Sequence, residues 1–195
     1  MKPMLLPMLV PVSGFALATA ACSKNDSTGR ADATATDTAS VDTAATPAAT
    51  ATTAANDHAS QFLTEAMKGD NSEMKLGKLA QDMGSSKGVK DFGKMLADDH
   101  GKAKDQVAKL ATTMNVPVTD EAAPEANTEY TKLQGLKGAD FDKEFASYTV
   151  DDHKKDIGKF EQEASSSDPA PVTDLAEQTL PTLKKHLQTA QSLQK

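Results

Sequence analysis

From Asp57 to the C-terminus, apolar residues recur every three or four positions, and no stretch alternates with the period of two that a half-buried strand requires. A first segment, about residues 57 to 83, sets Phe62, Ala66, Met67, Met74, Leu76, Ala80 and Met83 near one face; Gly84, Ser85 and Ser86 punctuate its end. A second, about 87 to 114, aligns Val89, Phe92, Leu96, Ala103, Val107 and Leu110. A third, about 139 to 165, aligns Phe141, Phe145, Thr149, Ile157 and Phe160. The fourth starts from an Asp168 cap with Pro169 at its first helical position and aligns Val172, Ala176, Leu183, Leu187, Ala190 and Leu193, with Pro181 expected to bend it.

The pattern predicts an all-α domain over residues 57–195: a four-helix bundle whose apolar stripes meet on a shared axis. The turns after segments one and three are short, so each flanking pair is an antiparallel hairpin. Residues 115–138 are long enough to cross the bundle, with a brief extra helix at about Glu125 to Gln134 that turns Tyr130 and Leu133 inward. "LGKLAQDMGSSKGVKDF" (76–92) aligns with "IGKFEQEASSSDPAPVTDL" (157–175) across the two turns, so the hairpins read as an internal repeat. Two related hairpins joined by a crossover is the ferritin-like arrangement.

Polar residues interrupt each stripe. His100 lies four residues after Leu96, His153 four after Thr149, His186 three after Leu183, and Glu73 midway between Ala66 and Ala80. Each main helix thus turns one protonatable group inward, while Asp98, Asp99, Asp151 and Asp152 rotate toward the flank or solvent. Three imidazoles and a carboxylate are a donor set for one divalent ion of the Zn, Cu, Ni or Fe type. The same residues also fit a structural polar network that fixes helix register, or partial exposure at the bundle ends. A ferritin-type di-iron centre lacks its Glu-x-x-His pairs, because Ala97, Val150 and Leu183 stand three residues before the histidines. His58 reads as an exposed first-turn residue. Met67, Met74, Met83, Met95 and Met114 read as core filling rather than copper(I) ligands. No nucleophile elbow or phosphate loop is present.

Composition narrows the function classes. The 195 residues carry 21 basic and 28 acidic side chains, a net charge of -7 that argues against a nucleic-acid partner. Arg30 is the only arginine and Cys22 the only cysteine, which excludes an internal disulfide. Residues 1–22, "MKPMLLPMLVPVSGFALATAAC", have the layout of an export signal. "TAAC" resembles a bacterial lipobox whose cysteine, Cys22, is acylated; Thr19 and three prolines depart from the usual pattern, and cleavage near Ala21 or an uncleaved anchor are the alternatives. In residues 23–56, 20 of 34 are Ala or Thr, which predicts a disordered tether between lipid and domain.

"FLTEAMKGDNSEMKLGKLA", "VKDFGKMLADDHGKA", "FDKEFASYTVDDHKKDIGKFEQEA" and "TLPTLKKHLQTAQSL" together resemble the successive blocks of the bacterial envelope family catalogued as domain of unknown function 4142, of the ferritin-like superfamily. The resemblance covers residues 58–194. It implies a four-helix ferritin-like bundle in an exported, often lipid-anchored protein, and supplies no reaction and no catalytic residue. The expectation is therefore a lipid-anchored envelope protein, with Ser23 compatible with outer-membrane sorting. It would be a non-enzymatic binding or stress-related module whose divalent-metal candidates are Glu73, His100, His153 and His186. The alternative is a metal-dependent oxidoreductase or metal-storage protein. A protein partner or self-association is left open.

Overall fold

In a computed structural model, the structure describes the backbone of residues 47–195 and the side chains of residues 56–195. The signal segment 1–22 with Cys22, and most of the expected linker, lie outside the described residues. Five helices follow one another: α1 (Pro47–Met83), α2 (Lys87–Thr113), α3 (Pro124–Gln134), α4 (Ala139–Ala164) and α5 (Ala170–Leu193). The described residues contain no strand.

Helix α1 begins ten residues before the expected start at Asp57. Residues 47–56 are rich in alanine, the best helix former, so the helix continues backward through what composition alone marks as tether. At the other boundary, Asp168 does not cap α5. Pro169 occupies the N-cap position and its carbonyl receives Val172 N–H at 2.8 Å, which frees the Asp168 carboxylate for a different partner. The helix runs on through Pro181.

The packing is dominated by two pairs, α1 against α2 and α4 against α5, with α2 meeting α5 and α1 meeting α4 between them. The first turn is held from two sides. Ser86 caps α2 by accepting Val89 N–H, and the Asp142 carboxylate of α4 accepts Ser85 N–H and Ser86 N–H, both at 2.7 Å. The connection from α2 to α4 is strapped along α1. Asn71 donates to the carbonyls of Thr119 and Glu121, and Ala123 N–H donates to Ser72 Oγ. Helix α3 buries Ala126, Glu129 and Leu133, with Tyr130 half-buried against the same core. Gly138, at φ +60°, holds a backbone conformation that a side chain would strain, and it launches α4.

Two apolar clusters form. One gathers Leu76, Ala80, Phe92, Leu96, Phe141, Phe145 and Ala190; the other gathers Leu63, Met67, Val107, Ala111 and Val172. On α1 and α2 the stretch between the two clusters carries buried polar side chains, Asp70 to Glu73 and His100. At the first cluster α1 and α2 approach closely. A Cβ on Gly93 would stand 2.6 Å from the Gly77 carbonyl oxygen, and a Cβ on Gly77 the same distance from that of Gly93. Backbone cannot yield as a side chain can. Gly93→Ala is expected to lower stability by about 1–3 kcal/mol, because overpacking outweighs the roughly 1 kcal/mol of helix propensity gained. Gly158→Ala on α4, where a Cβ meets nothing within 4 Å, is expected to raise it by about 0.4–1 kcal/mol. Urea denaturation of the two variants checks the opposite signs.

Candidate metal centre

The sequence places His100, His153 and His186 on three different helices, and tertiary packing brings them together. They are 5%, 1% and 0% exposed. Their ring centroids form a triangle with sides of 5.2, 5.4 and 5.8 Å. One nitrogen from each ring lies within 4.8 Å of the other two. All four expected inward residues are buried, but Glu73 stands apart from the trio. Its Oε1 is 3.9 Å from His153 Nδ1, and it groups with Asp152 and His153 instead.

The outer nitrogens define the state of the inner ones. His153 Nδ1 is 3.1 Å from the Thr149 carbonyl, which can only accept, so Nδ1 carries the hydrogen. His186 Nε2 lies 3.3 Å from Asp99 Oδ2, whose ionised carboxylate takes the hydrogen there, and His100 Nδ1 lies 2.8 Å from Asp70 Oδ1. Burial, reinforced by His100 and His186, lowers the His153 pKa to about 3 from the ordinary 6.5. Burial and His100 lower His186 to about 4, outweighing the pull of Asp99. Asp99 itself is lowered, because hydrogen bonds from His186 and Lys102 overcome its partial burial. In the neutral rings, His153 Nε2 and His186 Nδ1 therefore face each other at 3.3 Å, each with a lone pair and no hydrogen between them. His100 Nε2 is buried and has no hydrogen-bond partner.

The four aspartates beside the histidines, expected toward the flank or solvent, divide between those two places. Asp98 and Asp151 are exposed, as a 100° step per residue requires. Asp99 and Asp152 are half-buried: Asp99 binds the His186 ring, and Asp152 joins Glu73 and His153. Asp70 is a further partner that periodicity did not single out; an Asp three residues before Glu73 was its signal. Burial raises Asp70 more than the His100 ring lowers it. Glu73 is raised well above the ordinary carboxyl value by complete burial, then by Asp152, Asp156 and Asp70. Asp156 is pushed up to about 6 by burial and Asp152. A cavity of about 360 Å³, lined by Asp70, His100, Tyr148, Asp152 and Asp156 among others, leads to this layer.

His58 is exposed, as expected, and it is also paired across the bundle. Its Nδ1 lies 2.8 Å from Asp168 Oδ2 and 3.4 Å from the buried Glu163. The early start of α1 puts it well inside a helix, facing the turn before α5. The hydrogen bond to Asp168 is the main cause of its raised pKa.

Two of the three mutually facing imidazoles, His100 and His153, stand in the doubled Asp-Asp-His pattern and the third, His186, in "TLPTLKKHL", all within the blocks that carry the resemblance noted in the sequence. The chain belongs to the family described as Domain of unknown function (DUF4142), which matches residues 42–193. No curated protein and no solved structure matches the chain. The DUF4142 match takes in all three histidines, and it extends into the alanine-rich stretch where α1 begins.

In the metal-free protein, His153 and His186 are expected to stay neutral from pH 8 to about 5, where a free imidazole is mostly protonated. Histidine ring shifts measured by NMR check this; a midpoint near 6.5 for both would refute it. The sign for stability follows. Both folded values lie below 6.5, so the two rings contribute stability above that pH, and it is lost as pH falls toward about 4. Asp156, raised to about 6, acts in the opposite sense.

Proposed function

We propose that this chain is an exported, lipid-anchored envelope protein whose domain is a ferritin-like four-helix bundle. In this reading it is a binding module that holds one divalent transition-metal ion on His100, His153 and His186. The observation that carries it is the 3.3 Å approach of His153 Nε2 to His186 Nδ1, two nitrogens whose lone pairs oppose each other when both rings are neutral and donate from their other nitrogen. Two nitrogens bonded at 2.0–2.1 Å to one tetrahedral ion stand about 3.4 Å apart, so a cation relieves the lone-pair opposition at nearly the spacing found. A purely structural network supports the geometry less well, because it leaves those lone pairs opposed and His100 Nε2 unsatisfied.

The outer oxygens strengthen this reading. Each histidine donates its remote N–H to Asp70, Thr149 or Asp99, the arrangement that fixes the tautomer and ring orientation of a metal ligand. Three imidazoles suit Zn²⁺, Ni²⁺, Cu²⁺ or Fe²⁺ and leave a fourth position open. The second reading, a metal-dependent oxidoreductase or storage protein of ferritin-like type, draws on the cavity that reaches His100.

Anchoring rests on the sequence: Cys22 at the end of an export signal and an alanine- and threonine-rich approach to α1. The pairing of α1 with α2 and of α4 with α5, with α2·α5 and α1·α4 contacts joining them, supports the bundle.

Elemental analysis of natively purified protein is expected to find about one transition-metal ion per chain, and none stoichiometric in His153→Ala. No metal in the wild type would sink both the binding and the storage readings; several ions per chain would favour storage. Asp99→Asn keeps every ligand and is expected to weaken binding about 10–100-fold. For the anchor, Cys22→Ser is expected to move the protein from the detergent phase to the aqueous phase on phase partitioning. Unchanged partitioning would refute acylation there.

A further inference from the structure

We propose a second cation site on the opposite side of His153, formed by Glu73 and Asp152 with Asp156 at its mouth, for a hard divalent cation of the Mn²⁺ or Mg²⁺ class. It goes beyond the histidine centre and uses a different donor set.

Glu73 is 1% exposed, and neither of its oxygens has a hydrogen-bond partner; among the described residues no other buried carboxylate leaves both unpaired. A donor atom of Glu73 and one of Asp152 lie within 4.8 Å of each other and of His153. His153 closes the group without serving as a ligand, because its Nδ1 hydrogen is committed to the Thr149 carbonyl. No lysine lies within 4.0 Å of Glu73 or Asp152 among the described residues. The lysine near Asp156 is Lys159, at 3.7 Å and more than half exposed on the rim.

A carboxylate buried without a partner is destabilising, and a second, half-buried one beside it adds repulsion. One shared proton satisfies only one oxygen of each. A divalent ion would engage oxygens of both and remove the repulsion.

The donors are all oxygens, which selects a hard cation over the softer ions that imidazole prefers. Such ions keep several of their waters, and the neighbouring space allows it. Asp152 and Asp156 line the cavity of about 360 Å³, against about 30 Å³ for each liquid water. Asp152 and Asp156 are one helical turn apart on α4, so both present oxygens to the same side, with Glu73 opposite on α1. The cavity also gives the ion a route in from solvent, past Asp152 and Asp156.

The test is a Mn²⁺ titration of the full-length, metal-depleted protein, first loaded with one equivalent of Zn²⁺, following free Mn²⁺ by EPR. One saturable Mn²⁺ per chain is expected. Glu73→Gln should weaken it at least about tenfold with Zn²⁺ uptake unchanged, and His186→Ala should lose Zn²⁺ but keep Mn²⁺ affinity within about threefold. Should Glu73→Gln not fold by circular dichroism, Asp156→Asn at the cavity mouth decides, with a weakening of about tenfold expected. Unsaturable Mn²⁺ binding, or variants that match the wild type, would overturn the proposal and leave a proton-sharing carboxyl pair. Mn²⁺ uptake without Zn²⁺ uptake would instead overturn the histidine reading alone.

Discussion

The structure turns on one constraint: a layer of titratable side chains buried between two apolar clusters, with few partners except each other. Asp70, Glu73, His100, His153 and His186 are all less than a tenth exposed. Polar groups at such depth are tolerated only when each finds a partner, a proton or an ion. Each helix pairing that meets at this layer must therefore hold its register closely, since a slip of one residue would turn a histidine into the clusters on either side.

Register comes from the turns. Asp70 and His100 stand at equal separations from Ser85 at the tip of the first hairpin, and their side chains meet at 2.8 Å. The Asp142 carboxylate holds that tip to α4, so the two hairpins are tied where one turns and the other starts. At the opposite end, His58 on α1 pairs with Asp168 before α5. The Gly77–Gly93 approach allows α1 and α2 to close on each other beside the layer. These contacts lie away from the histidines, yet they set where the rings arrive.

The chemistry proposed for the layer follows from electrostatics in a poorly solvated space. Burial keeps His153 and His186 neutral, the form in which an imidazole nitrogen can bind a cation. On the carboxylate side the same burial holds Glu73 and Asp156 toward their protonated forms. A nitrogen-lined half and an oxygen-lined half thus share the His153 ring as their wall. The cavity at Asp70, Asp152 and Asp156 also touches His100, so it borders both halves.

Much of this was legible in the chain. Apolar periodicity gave the main helices and the short α3, because a 3.6-residue stripe is a local property that every good helix former nearby reinforces. The same periodicity turned Glu73, His100, His153 and His186 inward, and all four are buried. Boundaries were less legible: alanine-rich residues 47–56 read as tether by composition and as helix by propensity, and the α5 cap moved from Asp168 to Pro169. Facing directions on one helix come from sequence alone; which helices face each other, and at what height, does not. Only the tertiary structure put three rings from α2, α4 and α5 into one triangle, set Glu73 behind His153, and turned Asp99 and Asp152 inward while Asp98 and Asp151 stayed out. The reason is physical: a helix fixes angles around its own axis, whereas distances between axes are set by turns, glycine contacts and cross-hairpin hydrogen bonds that join residues far apart in the chain.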